Sequence, residues 1–332
     1  MSEIRYSKLD NRYVVIAPER FHKPNEAFKL NLQDDNCPFC KHNEHLLEHE
    51  IFSLKDNNGD IEVRVIPNLF TAVNLDTRFE IQREGFFEKM SGFGVHEIII
   101  DTPAHKKMDA FTSKEYFFLL KTIKARVDDL KKDLRIKYLS IFKNSGVKAG
   151  ASQSHPHTQI IGLPVVPVSK KEQFMTLLRH YRQYGRSLLR EIADEESAQD
   201  KRILLKNQYF TSFMPYASLY SFEVMIVPND DFSSITCLDD DRLESLGSIL
   251  QKSMELLTSE LGEFDFNFDF LEPPINKSFD SEDFFDDIEM IHLFALRIYP
   301  RIFHLAGFEL SQDMHINAVE PEFAVKILNR SV

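Results

Sequence analysis

Residues 144–164 read Asn-Ser-Gly-Val-Lys-Ala-Gly-Ala-Ser-Gln-Ser-His-Pro-His-Thr-Gln-Ile-Ile-Gly-Leu-Pro. The glycines in this stretch let backbone amides approach an anion closely, and the loop runs directly into an extended apolar segment. Side chains alternate faces along an extended segment, so His155, His157 and Gln159 are predicted to project from one face. Pro156 fixes its own φ and keeps His155 extended, which makes the spacing of the two rings rigid. The pattern is typical of an active site.

The overall composition limits the partners that the chain can have. Its 332 residues exceed what one typical core supports, which predicts two domains or a duplicated unit. The net charge of −12 argues against nucleic-acid binding, so a phosphate-bearing ligand must meet a local cluster of positive groups. No stretch approaches the length needed to cross a bilayer. We therefore expect no membrane partner and predict a cytoplasmic protein.

The cysteines indicate a metal site before a disulfide. Cys37-Pro-Phe-Cys40 lies between polar, irregular flanks, which fit a zinc knuckle better than a thioredoxin-like motif. Such a knuckle supplies two ligands, so two more must come from elsewhere. Spacing alone leaves five candidates open: His42, His45, His49, His105 and His155. Cys237 has no such neighbour and is expected to be a small buried hydrophobe.

The same order of elements occurs twice along the chain. Short strands are predicted at 61–66 and 72–75, then strands at 96–100 and 138–142 on either side of a helix. That helix begins near Thr112, which has capping-box spacing to Glu115. A strand at 222–228, a helix at 239–261 and strands at 265–271 and 291–299 repeat the pattern. The duplication predicts a unit over 1–168, a connecting helical segment over 169–206 and a second unit over 207–332.

The two copies differ where chemistry is expected. Residues 294–298, Phe-Ala-Leu-Arg-Ile, stand where the first copy has His-Pro-His-Thr-Gln. The second copy therefore lacks the paired imidazoles. We predict that the chemistry resides in the first copy and that the second serves as scaffold or binds substrate.

Three motifs in this order resemble a known family. Cys37-Pro-Phe-Cys40, the loop histidine His105 and the run Gly-Ala-Ser-Gln-Ser-His-Pro-His-Thr-Gln over 150–159 resemble the galactose-1-phosphate uridylyltransferase family of the histidine-triad superfamily. That family includes nucleotide-sugar phosphorylases. The resemblance covers nearly the whole chain, from Arg20 to Gly307-Phe308-Glu309. It implies an α+β fold of two tandem histidine-triad-like units, which form one extended antiparallel sheet flanked by helices.

By position, the resemblance gives the two central histidines different roles. It implies that Cys37, Cys40, His105 and His155 hold a structural Zn²⁺, since two thiolates and two imidazoles make a closed tetrahedral set. His157 is then the nucleophile. The backbone carbonyl of His155 can accept from Nδ1–H of His157, so that Nε2 attacks.

Further residues are implied to bind phosphate groups. Gln159 is expected to donate to the phosphoryl oxygens, and Ser152 with the backbone at Gly150 to the departing phosphate. Asn68 and Asn144 match family positions near the nucleotide or its phosphates.

Two basic residues near the N-terminus acquire a role from the resemblance. Composition alone favours an exposed basic turn for Arg20 and Lys23, since charged side chains are usually only solvated. Both match basic family positions at the phosphate end. They would supply the positive charge that an acidic protein needs there.

The implied activity is nucleotidyl transfer by a ping-pong mechanism. His157 would take the nucleotide from a nucleotide sugar, release a sugar 1-phosphate and pass the nucleotide to a second phosphate. We predict a hexose-1-phosphate nucleotidylyltransferase. The alternatives are a phosphorylase of nucleotide sugars or dinucleoside polyphosphates, with inorganic phosphate as acceptor, and a zinc-stabilised nucleotide-binding protein without catalysis. The resemblance also implies a homodimer.

Two departures from the family pattern narrow this expectation. Many members carry histidine or glutamate where this chain has the run from Phe294 to Arg297, so no second metal site is predicted. A lysine that contacts the hexose phosphate in uridylyltransferases falls near Phe303, which weakens galactose 1-phosphate as the acceptor. No residue distinguishes uracil from adenine.

Overall fold

The computed structural model describes residues 2–9, 11–18, 37–41, 43–47, 49–277 and 283–330. Its strands lie in two sheets. In chain order they are Glu3–Ser7 (β1), Arg12–Ile16 (β2), Phe52–Lys55 (β3), Ile61–Pro67 (β4), Ile81–Glu84 (β5), Phe87–Ser91 (β6), Val95–Ile100 (β7), Tyr138–Ser145 (β8), His157–Leu163 (β9), Ile203–Lys206 (β10), Phe210–Phe213 (β11), Val224–Pro228 (β12), Phe266–Leu271 (β13) and Ala295–Pro300 (β14).

The larger sheet is symmetric about its centre. Its order is β10-β11-β12-β14-β13-β8-β9-β7-β4-β3, and each neighbouring pair is antiparallel. Outward from the β8–β13 contact, β9, β7, β4 and β3 of the first half match β14, β12, β11 and β10 of the second. The predicted α+β fold, with two tandem units in one extended antiparallel sheet, is confirmed.

Corresponding positions in the two halves differ by 127 from β7 to β8 in the first half, and by 138 in β9, because the loop before β14 is longer than the loop before β9. Short 3₁₀ turns lie at Met108–Ala110 and Ile235–Cys237, and the next helices have N-caps at Thr112 and Asp239 (108 to 235, 112 to 239). Strand pairing extends the match, because Ile98 pairs with Gln159 while its counterpart Met225 pairs with Arg297. Arg297 is therefore the counterpart of Gln159, and Ala295 that of His157. The comparison of the two sequences places Ile298 at the position of Gln159, which is wrong by one residue. Cross-strand pairing is needed to fix the register, because the sequence of a strand does not define it alone.

The helices pack on both faces of the large sheet. They are Ser113–Leu130 (α1), Val168–Tyr184 (α2), Leu188–Gln199 (α3), Asp240–Leu261 (α4), Ile288–Ile291 (α5), Gly307–Gln312 (α6) and Pro321–Leu328 (α7). The predicted capping box is present at α1: Thr112 Oγ1 accepts from Glu115 N, and Glu115 Oε2 accepts from Thr112 N at 2.8 Å. α1 and α4 pack side by side, and their apolar faces form the main core with the sheet. No helix in the described ranges has the length and apolar composition to cross a bilayer.

Some local expectations need correction. Residues 72–75 form a turn with one isolated bridge, Asn74 to Phe93, instead of a strand. The segment expected to be one connecting helix contains α2, α3 and the edge strand β10. The strand expected from 291 begins at Ala295, because α5 occupies 288–291. Cys237 is exposed, since it ends a surface turn. The domain boundaries at 168 and 206 stay predictions.

The second face of the large sheet, opposite α1 and α4, carries the side chains of interest. Part of it is covered by the small sheet, whose order is β2-β1-β6-β5. Ile4, Val73 and Met90 form a separate apolar cluster with Ile161 and Leu163 of β9. Helices α2 and α3 pack on other parts of it. The remaining part, toward the start of β9, is called the open face below.

The loop between β8 and β9 depends on a glycine. Gly146 has φ +86°, and a Cβ atom there would overlap the carboxylate of Asp265. That carboxylate is fixed, because it accepts from the backbone N of Lys148 at 2.6 Å. Gly150 also has positive φ, +81°, but no neighbouring atom lies within 4 Å of the Cβ position. Both glycines therefore have a left-handed backbone, but only at Gly146 would a side chain also clash with a neighbouring residue.

Replacing Gly146 by alanine is expected to lower the free energy of unfolding by about 2–4 kcal/mol, since left-handed strain of about 1–2 kcal/mol adds to a steric clash. Gly150→Ala is the matched control, with the strain alone. Urea denaturation of both variants measures the difference. Equal losses in the two variants would show that contact with Asp265 does not shape this loop.

Candidate active site

The predicted site residues lie in rows across the open face. His157 pairs with Ile100 of β7, and Asn144 pairs with Asn267 of β13. Because Lys143 pairs with Thr158, Asn144 stands opposite His157. Directly opposed residues of a sheet share a face. His157 and Asn144 are therefore neighbours at the centre of the large sheet, close to the seam between its halves.

The ring of His157 is held by the preceding histidine. His157 is buried, and its Nδ1 lies 2.9 Å from the backbone carbonyl oxygen of His155. A carbonyl can only accept, so Nδ1 donates and, in the neutral ring, Nε2 carries the lone pair. Phe39 of the Cys-Pro-Phe-Cys turn contacts both histidine rings edge-on, with ring centroids 5.8 and 6.0 Å away.

Four of the predicted ligands lie together. The ligand atoms of Cys37, Cys40, His105 and His155 all lie within 4.8 Å of one another. His155 Nδ1 is 3.7 Å from Cys37 Sγ and 3.5 Å from Cys40 Sγ, and His105 Nδ1 is 3.4 Å from Cys40 Sγ. A tetrahedral zinc with bonds of about 2.3 Å to sulfur and 2.0–2.1 Å to nitrogen sets such atoms about 3.6 Å apart. The cluster therefore has the dimensions of a metal site.

The other nitrogen of each ring is held in place. His155 Nε2 lies 2.8 Å from the carbonyl oxygen of Thr102, and His105 Nε2 lies 2.9 Å from Ser154 Oγ. Both rings thus turn Nδ1 toward the sulfurs, as outer hydrogen bonds do in metal sites. Burial lowers the pKa of His155 to about 4, so its ring is neutral at physiological pH. Neutral imidazole is the form that binds metals. His42 lies outside the described residues, and among those described the cluster contains neither His45 nor His49.

Gln159 is joined to a histidine that sequence reasoning treated only as part of a strand. His96 Nδ1 accepts from the backbone N of Ala72 at 3.0 Å. The neutral ring then carries its proton on Nε2, which lies 3.1 Å from Gln159 Oε1. The Gln159 carbonyl is engaged in this way, which orients its amide group. Asn68 Nδ2 also lies 2.9 Å from this Nε2. Because both nitrogens carry hydrogen in this tautomer, the two groups are close neighbours and do not form a hydrogen bond.

The remaining predicted residues are placed less tightly. Asn144 Oδ1 accepts from Asn267 Nδ2 at 2.8 Å, and the same amide donates to the carbonyl of Ala149 at 2.9 Å. This fixes the end of β8 to the glycine loop. Ser152 is half-buried in that loop, and Gly150 is exposed. Arg20 and Lys23 lie outside the described residues.

Sequence reasoning missed three contacts of this site. His96 lies on the open face with Ile98 and Ile100, opposite the side chains of β9. The alternation of side chains along β7 could have predicted this position. Phe39 lies inside a motif that was interpreted through its cysteines alone. Lys143 is a fully buried lysine on the core-facing side of β8, where its Nζ donates to Asp101 Oδ2 and to the carbonyl of His157. Lys143 follows Leu139 and Ile141 at alternate positions of β8, so the sequence could have predicted a lysine that faces the core.

Comparison with known proteins agrees with this geometry. Residues 1–167 match the family model described as galactose-1-phosphate uridyl transferase, N-terminal domain, which spans half of the chain. The chain belongs to the galactose-1-phosphate uridylyltransferase family. The protein is therefore an enzyme of the nucleotidyltransferase type, and the resemblance of its motifs is confirmed.

Relatives within the family have more than one activity. ADP-glucose phosphorylase of Arabidopsis thaliana is 29% identical over 334 residues, covering 98% of this chain and 92% of that protein. Galactose-1-phosphate uridylyltransferase of Saccharomyces cerevisiae is 23% identical over 364 residues, covering 99% and 94%. The crystal structure of the Arabidopsis phosphorylase with bound ADP-glucose matches this chain with a TM-score of 0.75 and 27% identity, covering 99% of this chain and 98% of that one.

Proposed function

We propose that the protein transfers a nucleotidyl group from a nucleotide sugar through a covalent intermediate on His157. The observation that carries this proposal is the 2.9 Å contact between His157 Nδ1 and the His155 carbonyl, which directs Nε2 to act as nucleophile. The carbonyl also stabilises the positive charge that the ring gains when Nε2 forms a bond. A binding protein without catalysis would not need this arrangement.

The two half-reactions use the same groups in opposite directions. Nε2 of His157 attacks the α-phosphorus of the nucleotide sugar, and the bond from that phosphorus to the bridging oxygen breaks. A sugar 1-phosphate leaves, and the nucleotide stays on the ring. A phosphate oxygen of the acceptor then attacks the same phosphorus, and Nε2 is the leaving group. The energy of the anhydride is retained in the phosphoramidate bond between the steps.

The groups around His157 would hold the phosphates. The amide of Gln159, with its carbonyl engaged by His96, can donate to the phosphoryl oxygens. Ser152 and the Gly150 backbone are assigned to the departing phosphate. Asn144 stands opposite His157, and Asn68 lies against His96, the neighbour of Gln159; both are proposed to contact the nucleotide or its phosphates.

The charge balance needs a further source of positive groups. Arg20 and Lys23 are proposed to supply it at the phosphate end, because the chain as a whole has a net charge of −12.

A structural Zn²⁺ is the metal that fits Cys37, Cys40, His105 and His155. Two thiolates and two neutral imidazoles suit zinc, and the set is closed to substrate. Bound there, zinc would supply rigidity by tying the Cys-Pro-Phe-Cys turn to the start of β9. His155 would then hold the metal through Nδ1 and the nucleophile through its carbonyl. The chemistry at phosphorus belongs to His157.

Two acceptors are candidates, and we favour inorganic phosphate. Hexose 1-phosphate is the acceptor expected from the motifs alone. The phosphorylase of Arabidopsis, however, is similar over nearly the whole of both chains. Phe303, where uridylyltransferases carry a cation for the hexose phosphate, is an exposed phenylalanine here. The favoured activity is therefore that of a nucleotide-sugar phosphorylase, with the hexose-1-phosphate nucleotidylyltransferase as second candidate.

We also propose a cytoplasmic homodimer. The C-terminal part exposes a set of large apolar side chains that suit contact with a second copy: Phe303, Phe308, Leu310, Met314, Ile316 and Phe323. Sedimentation as a monomer at micromolar concentration would remove this element of the proposal.

Mixing the protein with UDP-glucose, ADP-glucose or a dinucleoside polyphosphate is expected to add an acid-labile, nucleotide-sized mass, because a phosphoramidate to histidine is hydrolysed in acid. Intact-mass spectrometry measures it and identifies the base. His157→Ala should abolish the adduct, whereas His180→Ala, a histidine paired with Glu191 on a helix, should retain it. Identical behaviour of wild type and His157→Ala with every donor would refute the mechanism.

The loaded protein also identifies the acceptor. Under the favoured assignment, phosphate discharges an adduct loaded from a nucleotide-glucose and releases the nucleoside diphosphate, while galactose 1-phosphate does not. Glucose 1-phosphate, the product of the first half-reaction, discharges the adduct under either assignment by reversing that step. Discharge by galactose 1-phosphate and not by phosphate would establish the second candidate instead. Chromatography of the released nucleotide distinguishes the products.

Cys37→Ser is expected to lose most of the zinc that the purified wild type contains, because a hydroxyl is a far weaker zinc ligand than a thiolate. Elemental analysis of both proteins measures the metal. Cys237→Ser is the control, since Cys237 is exposed and outside the cluster. Unchanged zinc in Cys37→Ser would count against the assignment.

A further inference from the structure

Lys143 and Asp101 form a fully buried ion pair beneath the nucleophile. Their side chains are 1% and 0% exposed. Lys143 Nζ donates to Asp101 Oδ2 and, at 3.1 Å, to the backbone carbonyl of His157. The backbone N of Asp101 donates to the carbonyl of Pro156 at 3.2 Å. Lys143 thus holds the backbone carbonyl of His157 through its side chain. Asp101 holds the carbonyl of the preceding residue, Pro156, through its backbone N–H.

Stability alone does not account for this pair. Replacing a buried ion pair by apolar residues of similar volume is often neutral or stabilising, because desolvation offsets the attraction between the charges. Here the bonding is also incomplete, since Asp101 Oδ1 has no hydrogen-bond partner among the described residues. A buried acceptor without a partner adds a further cost.

The second half of the chain provides an internal comparison. By the spacing that relates the halves, Lys143 corresponds to Phe270 and Asp101 to Pro228 (143 to 270, 101 to 228). The second half builds the same strand, turn and helix with these uncharged residues. It also has Ala295 in place of His157. The architecture therefore forms without the ion pair, and the pair occurs in the half that has the nucleophile.

We propose that Lys143 and Asp101 are positioning residues for nucleotidyl transfer, which hold the His157 backbone so that Nε2 meets the α-phosphorus. This rests on the proposed function. Neither side chain reaches the open face, because Lys143 alternates with the open-face residue Asn144. Their effect passes through the carbonyl of His157, to which Lys143 Nζ donates directly while Asp101 fixes the position of Nζ. A displacement of about 1 Å at a reacting atom can cost about 100-fold in rate.

A second buried ion pair, between Arg126 and Glu97, serves as a comparison for the pair of Lys143 and Asp101. Arg126 of α1 donates to Glu97 of β7 at 2.7 and 2.8 Å, and both side chains are buried. The counterparts are Ser253 and Val224, so this pair too is confined to the first half. Within the described part of the chain, neither side chain bonds to a residue of the candidate site. Direct bonding to His157 is what separates Lys143 and Asp101, and the Arg126 pair supplies a matched control.

The test compares single-turnover nucleotidylation at saturating donor in two double variants. Lys143→Met/Asp101→Val removes the positioning pair, and Glu97→Leu/Arg126→Met removes the control pair. The first is expected to slow adduct formation about 10- to 100-fold, with donor affinity and zinc content within twofold of wild type. The control is expected to change the melting temperature and leave the adduct rate within twofold.

An unchanged rate in the first variant, or an equal loss in both, would overturn the proposal. Should the first variant fail to fold, Asp101→Asn carries the test, because it removes the charge and keeps an acceptor for Lys143 Nζ. A loss of about 3- to 10-fold is then expected at unchanged donor affinity, and a rate equal to that of wild type would overturn the proposal. A wild-type protein that forms no adduct at all would instead show that the proposed function itself is wrong.

Discussion

The hydrogen bond from His157 Nδ1 to the carbonyl of His155 is the constraint on which the rest of the site depends. It works because His155 is itself immobile: its ring is turned by the carbonyl of Thr102 and faces two sulfurs. Pro156 between them removes one backbone torsion. His155 thus contacts the candidate metal centre with its ring and the proposed nucleophile, His157, with its backbone, so a shift of either one would disturb the other. The Cys-Pro-Phe-Cys turn, distant in sequence, thereby becomes part of the site.

The large sheet supplies the second level of order. β9 lies between β7 and β8, so the strand that begins with the proposed nucleophile is paired on both edges. Its core-facing side packs in the main apolar core with α1 and α4, and its open-face side carries His157 and Gln159. Cross-strand neighbours then bring His96 to Gln159 and Asn267 to Asn144. A rigid, doubly paired strand suits chemistry that needs one atom at a fixed place.

Much of this arrangement could be predicted from the chain alone. The His-Pro-His spacing, the cysteine pair and the repeated order of strands and helices carry local signals, and the family motifs supplied the two remaining ligands, His105 and His155. Contacts between strands carry no such signal. His96, Lys143 and Asp101 acquire their partners only when β7, β8 and β9 lie side by side. The equivalence of Arg297 with Gln159 likewise required the strand register, because the two strands share no sequence motif that would align them. Phe39 was not predicted as a site residue, because the motif was interpreted as a pair of metal-binding cysteines.

The pairing of β8 with β13 at the centre of the sheet has a consequence for association between the halves. Alone, the first unit would present β8 as an unpaired edge, a surface that readily recruits another strand. Covalent linkage guarantees that the recruited strand is always present, at an effective concentration that no separate chain needs to match. Shielding that edge does not require imidazoles, so the second half completes the sheet with Ala295 where the first half has His157.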